Sequence, residues 1–138
     1  MRITKTYLTD LTYRINGAAI EVHKILGPGL LEKVYHKCLA HEFSLRGINF
    51  KSEYRVPIDY KGMDTEADLR CDFLVENVIF VEIKSVAAMP PIFDAQTISY
   101  MSLSKKPKGI LFNFNVVNLY KEGQKTLVND IYRRLPDR

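Results

Sequence analysis

Cysteine is scarce in this chain of 138 residues: Cys38 and Cys71 are the only two. They stand far apart on apolar faces, which predicts two small buried thiols in a reducing compartment and excludes a disulfide scaffold. Long apolar runs are missing as well. None approaches the ~20 residues of a membrane helix. Met1 to Asp10 has no apolar core of the kind a signal peptide carries, so a cytoplasmic chain with no membrane partner is expected. There is no repeat, linker or low-complexity segment, and residues 1–138 read as a single domain. The glycine-rich turn Gly27-Pro28-Gly29 has no strand before it and no Lys-Ser/Thr after it, so it reads as a corner between helices and not as a phosphate loop. His36 and His41 are five apart and do not share a helical face, which argues against zinc; structural histidines are expected, with His23. What is present is ordinary for a globular domain, with 46% hydrophobic and 26% charged residues. The net charge of +4 permits nucleic-acid binding without establishing it.

Apolar spacing predicts a helix from a Thr9 cap to Leu26, and a second from Leu30 to Leu45 with Leu31, Val34, Tyr35, Cys38 and Leu39 as its buried stripe. Three strands follow, Asn49–Tyr60, Thr65–Val75 and Val78–Lys84. Pro57 marks an edge or bulge in the first. Pro90-Pro91 introduces a third helix, Ile92 to Ser104, with Ile92, Phe93, Gln96, Ser99, Tyr100 and Leu103 on its best stripe. Ile98 and Met101 fall on its other side. Two apolar faces on one helix predict a homodimer. Ile110–Val117 reads as a buried strand, parallel to its neighbour through the helical crossover. Beyond it, Asn118–Val128 reads as a short hairpin and Asn129–Arg138 as a basic helical or frayed tail. The order is two helices, β-β-β, crossover helix, β: an α/β fold with a mixed four-stranded sheet flanked by helices.

The informative stretch is Cys71 to Lys84. It is a mostly apolar hairpin that contains Asp72, Glu82 and Lys84. Glu82 and Lys84, two apart, leave one face of their strand. A two-residue turn at Glu76-Asn77 would oppose Asp72 to Val81. A three-residue turn at Glu76-Asn77-Val78, or a bulge beside a shorter turn, opposes Asp72 to Glu82. Facing carboxylates repel unless a cation lies between them. Two carboxylates and a strand carbonyl suit Mg²⁺ or Mn²⁺.

Asp72 followed by Glu82-x-Lys84 resembles the PD-(D/E)xK nuclease superfamily. Gly29-Leu30-Leu31-Glu32-Lys33-Val34-Tyr35 resembles the motif that names its GxxExxY branch, and the likeness extends from about Ile15 to Val117. Cys71 stands where many superfamily members have proline. The resemblance implies a restriction-endonuclease-like core and a metal-dependent nuclease acting on nucleic acid, DNA or RNA. It implies metal ligation by Asp72, Glu82 and the main-chain carbonyl of Ile83, with Lys84 orienting a water or stabilising charge and Glu32 as an outer ligand.

Two of these residues also have plainer explanations. Glu32 in the first turn of a helix compensates the helix dipole. Gln96, an amide within an apolar stripe, either bonds a strand carbonyl or orients the Glu-x-Lys strand or its attacking water. A nucleic-acid-binding or regulatory module on the same fold, and an interaction protein with a structural ion-pair network, both stay open.

Overall fold

The computed structural model describes residues 2–138. Helix α1 spans Lys5–Leu26 and starts earlier than expected, because the Thr4 hydroxyl, not Thr9, accepts a hydrogen bond from the Tyr7 N–H at 3.0 Å. The corner Gly27-Pro28-Gly29 leads into α2, Glu32–Leu45. Tyr35 fastens that corner. Its hydroxyl donates to the Gly27 carbonyl at 2.6 Å and accepts from the Leu30 N–H at 3.1 Å. The buried stripe of α2 is Tyr35, Leu39 and Phe43, while Leu31 lies 66% exposed.

Strand β1, Phe50–Val56, is followed by a two-stranded hairpin of β2, Asp59–Tyr60, and β3, Met63–Asp64. Then come β4, Leu69–Val75, and β5, Ile79–Lys84. Helix α3, Pro91–Ser104, crosses over to β6, Lys108–Asn113, which runs parallel to β5. A π-helical turn at Leu119–Gly123 precedes β7, Gln124–Val128, and α4, Asp130–Arg133. The main sheet has five strands in the order β1-β4-β5-β6-β7, one more than the four read from sequence. The added strand is β7, which pairs with β6 and not with a local hairpin partner. The tail after α4 is tied down: the Lys5 N–H donates to the Pro136 carbonyl at 2.9 Å.

Helices α1 and α2 cover one face of the sheet, over Phe73, Val75, Val81, Ile83, Ile110 and Phe112. Helix α3 covers the other, over Leu74 and Phe80. It presents Thr97, Tyr100 and Met101 to the sheet. Met101 is therefore core, and the second apolar face on which the homodimer rested is reduced to partly exposed side chains such as Ile98, at 38%. Among the described residues no helix is long and apolar enough to cross a membrane.

Candidate active site at the open end of the β4–β5 hairpin

The β4–β5 ladder pairs Val75 with Ile79, Leu74 with Phe80 and Phe73 with Val81. One further step opposes Asp72 to Glu82. The turn holds three residues, Glu76-Asn77-Val78, and two of them, Glu76 and Asn77, take left-handed φ values of 49° and 62°. Past Phe73 and Val81 the carboxylates take over from the backbone ladder. The Asp72 N–H donates to Glu82 Oε1 at 2.8 Å, and the Ile83 N–H donates to Asp72 Oδ2 at 2.8 Å. Each acid thus grips the opposite strand. A strand residue's N–H and C=O point to the same neighbour, so the Ile83 carbonyl also faces this opening.

A second irregularity aims Asp72. Ser52 pairs with Phe73 and Tyr54 with Cys71, which sets Glu53 opposite Asp72, and Glu53 has φ 50°. Phe73 belongs to the cluster under α2, whereas Cys71 and Tyr54 belong to the cluster under α3. Residues two apart on a regular strand share a face. Here both strands change face at Glu53 and Asp72, so the Asp72 carboxylate is turned toward α2 while Glu82 stays near α3. That rotation lets a helix side chain reach Asp72.

The side chain is His36 of α2. Its Nδ1 lies 2.9 Å from Asp72 Oδ1 and its Nε2 2.7 Å from Ser52 Oγ. Its ring stacks on Phe73 at 4.3 Å. His36 read from sequence as a structural histidine, out of face with His41, and its place beside Asp72 was not expected. The available signal was the four-residue step from Glu32, which places the two on one face of α2. Glu32, Lys33, His36, Glu53 and Asp72 line an open cavity of about 270 Å³.

Glu82 is 5% exposed. Burial first, and the Asp72 charge second, push its carboxyl up from 4.5 to about 7. Lys84 Nζ stands 3.8 Å from Glu82 Oε2 and 4.3 Å above the Phe93 ring of α3. Glu32 is raised as well, by burial and by Asp72, against an opposing pull from Lys84. It therefore feels both charges of the site from the first turn of α2. Burial is also the main reason the Cys71 thiol and the Tyr100 hydroxyl are raised, with Glu82 adding to both. Gln96 sits differently from expectation. It is exposed, on the flank of α3 between Phe93 and Tyr100, and the buried stripe passes through Thr97 instead. The site's hydrogen bonds do not include it.

Each carboxylate oxygen of Asp72 and Glu82 has a protein partner, three at hydrogen-bond distance and Lys84 at 3.8 Å. Among the described residues no group of three or more His, Cys, Asp or Glu is gathered as a metal cage. The donors nevertheless fit a hard divalent ion. They are two carboxylates and a main-chain carbonyl, the hard oxygen donors such an ion takes.

A mixed sheet with helices on both faces, carrying Asp and Glu-x-Lys on adjoining strands, defines an α/β domain of restriction-endonuclease-like type. Residues 9–127 match the PD-(D/E)XK nuclease superfamily, and the chain belongs to it. Members of that superfamily generally use divalent metals. Neither the curated proteins nor the solved structures give a match to this chain.

Proposed function

We propose that this protein is a metal-dependent phosphodiesterase acting on nucleic acid, within the GxxExxY branch of its superfamily. The observation that carries the proposal is the mutual hold of Asp72 and Glu82 at the open end of the hairpin, each carboxylate accepting an N–H from the other's strand, with Lys84 beside them. Asp72, Glu82 and the Ile83 carbonyl are the proposed ligands of Mg²⁺ or Mn²⁺. A bound ion would supply Lewis acidity to the phosphate and to a water. The chain's own residues do the rest. Lys84, held over Phe93, donates to phosphate oxygens as negative charge builds. Glu32, whose raised carboxyl faces the same opening, holds or accepts a proton at its carboxylate and acts as an outer ligand. Gln96, exposed on the flank of α3, contacts the substrate and not the Glu82 strand. The two free thiols, Cys38 and Cys71, support a reducing, cytoplasmic setting.

A second reading draws on the hydrogen-bonded carboxylates themselves: the cluster is a closed polar network on an inactive, nucleic-acid-binding or regulatory version of the fold. The two readings differ in their response to metal. Single- and double-stranded DNA and RNA incubated with Mn²⁺ are expected to be cut by the parent and left intact by Asp72→Ala. A parent whose melting temperature is unmoved by Mn²⁺ and which cuts no substrate would establish the closed network.

A further inference from the structure

The mouth of the site is lined by three carboxylates, those of Glu32, Glu53 and Asp72, against a single lysine, Lys33, and His36. A polyanion is not drawn to such a surface, so a nucleic-acid strand needs a cationic hold elsewhere. Two cavities of about 480 Å³ lie away from the site, and one of them has that character. It occupies about 480 Å³ between α1, the end of α2 and the π-helical turn, and Tyr13, Arg14, Arg46, Ile20 and Tyr120 are among its lining residues. That volume falls within the ~300–1,000 Å³ typical of small-molecule sites. Tyr13 is 80% exposed and Tyr120 59%, so both rings offer a face to solvent. The Arg46 guanidinium lies over Gly17, where an added Cβ would come within 3.2 Å of Nη1.

A smaller hollow of about 230 Å³ shares Ile20 and Tyr120 with this cavity and continues it to His23 and Lys24. Neither lining contains an Asp or Glu. Tyr13, Ile20 and Lys24 follow one another at steps of seven and four along α1, so the two hollows form one trough about 16 Å long. Its far end adjoins the catalytic end of the sheet. His23 Nε2 lies 2.8 Å from the Val116 carbonyl, and the Asn115 amide donates to the Val86 carbonyl at 3.3 Å, two residues past Lys84.

We propose that this trough is an anchoring site for a single-stranded segment of nucleic acid, with bases stacked on Tyr13 and Tyr120 and phosphates met by Arg14 and Lys24. Arg46 is already paired with Glu42, its Nε donating to Oε2 at 2.6 Å, so the phosphates fall to Arg14 and Lys24. Exposed aromatics beside cations suit any strand with a π-face and a phosphate per residue. The ligand class rests on the nuclease reading, but the trough acts without metal. The remaining apolar hollow, between α1 and α2 at Ile25 and Cys38, lacks the arginines and the exposed tyrosines.

The test is fluorescence anisotropy of a labelled oligo-dT strand and of a labelled duplex, in chelator, so that binding is read without cleavage. The parent is expected to bind the single strand better than the duplex. Tyr13→Ala and Tyr120→Ala should each weaken binding roughly 5- to 150-fold. Arg14→Ala and Lys24→Ala should each flatten the salt dependence by about 0.7 in slope. All four side chains are exposed, and unchanged circular dichroism and melting would show that the variants fold. Asp72→Ala should bind in chelator as the parent does. No binding by the parent, equal binding by all variants, or a preference for duplex that the tyrosine variants keep would each overturn the trough. Failure of the nuclease reading would look different: the strand would bind in chelator and survive in Mn²⁺.

Discussion

Replacing Glu82 with glutamine offers the most direct probe of the site, because burial and the neighbouring Asp72 set the sign of the effect and its order of magnitude. Burial and Asp72 raise the Glu82 carboxyl from 4.5 to about 7. Between those values the folded protein holds a proton that the unfolded chain has released. Stability therefore falls as pH rises through this window, and the loss is complete above about pH 7. At ~1.4 kcal/mol per pH unit, ionised Glu82 costs the fold about 3 kcal/mol. Glutamine keeps the oxygen that accepts from the Asp72 N–H and cannot ionise. At pH 8 without metal, Glu82→Gln is expected to be about 3 kcal/mol more stable than the parent, roughly 6–15 °C in Tm for a domain of this size. At pH 4.5 the two should melt together. Mn²⁺ at pH 8 should reverse the order, because the parent alone then has both anionic ligands. Urea unfolding at the two pH values, with and without Mn²⁺, reads all of this. If Glu82→Gln instead costs about 3–5 kcal/mol at pH 8 and metal changes nothing, Glu82 and Lys84 are a structural ion pair and the electrostatic reasoning is wrong.

Lys84→Met keeps the apolar stem and removes the charge that lies over Phe93; Mn²⁺ binding measured by calorimetry should persist while cleavage falls by ~10²-fold or more. Tyr35→Phe keeps the stack on Phe114 at 4.4 Å but orphans the Gly27 carbonyl and the Leu30 N–H. It should cost about 1–3 kcal/mol in urea unfolding. Gly109→Ala would set a methyl 2.8 Å from Thr97 Cγ2 and 2.9 Å from Met101 Sδ. A loss of about 1–3 kcal/mol is expected, and an unchanged Tm would show that α3 can shift off β6 freely.

The parts legible in sequence were those set by local periodicity. Turn length decides whether Asp72 meets Glu82, the sequence left two- and three-residue turns both open, and the structure has the three-residue turn. The crossover through α3 to a parallel strand followed from an apolar run after a helix. What escaped depends on non-local geometry. The change of face at Glu53 and Asp72 has no compositional mark, and without it His36 has no visible business with Asp72. On α3, apolar Ile92 and Leu103 point outward while Thr97 points in, so a stripe drawn through hydrophobic residues was rotated and took Gln96 inward with it. The pairing of β7 with β6 spans the π-helical turn, which gives no periodic signal.

The Glu76-Asn77-Val78 turn has a consequence for how this chain tolerates change. Exposed turns commonly accept insertions and deletions because little depends on their length. This one lies at the opposite end of the hairpin from Asp72 and Glu82, about 10 Å away by strand rise. Yet if the unchanged chain closed instead on a two-residue turn at Glu76-Asn77, Val78 would join the strand, the register would shift by one and Val81 would come to face Asp72. The slip would also turn every side chain of β5 to the other face of the sheet, so core and site would be lost together. What guards the site from this remote tip is thus the three-residue turn itself, in which Glu76 and Asn77 take left-handed backbone.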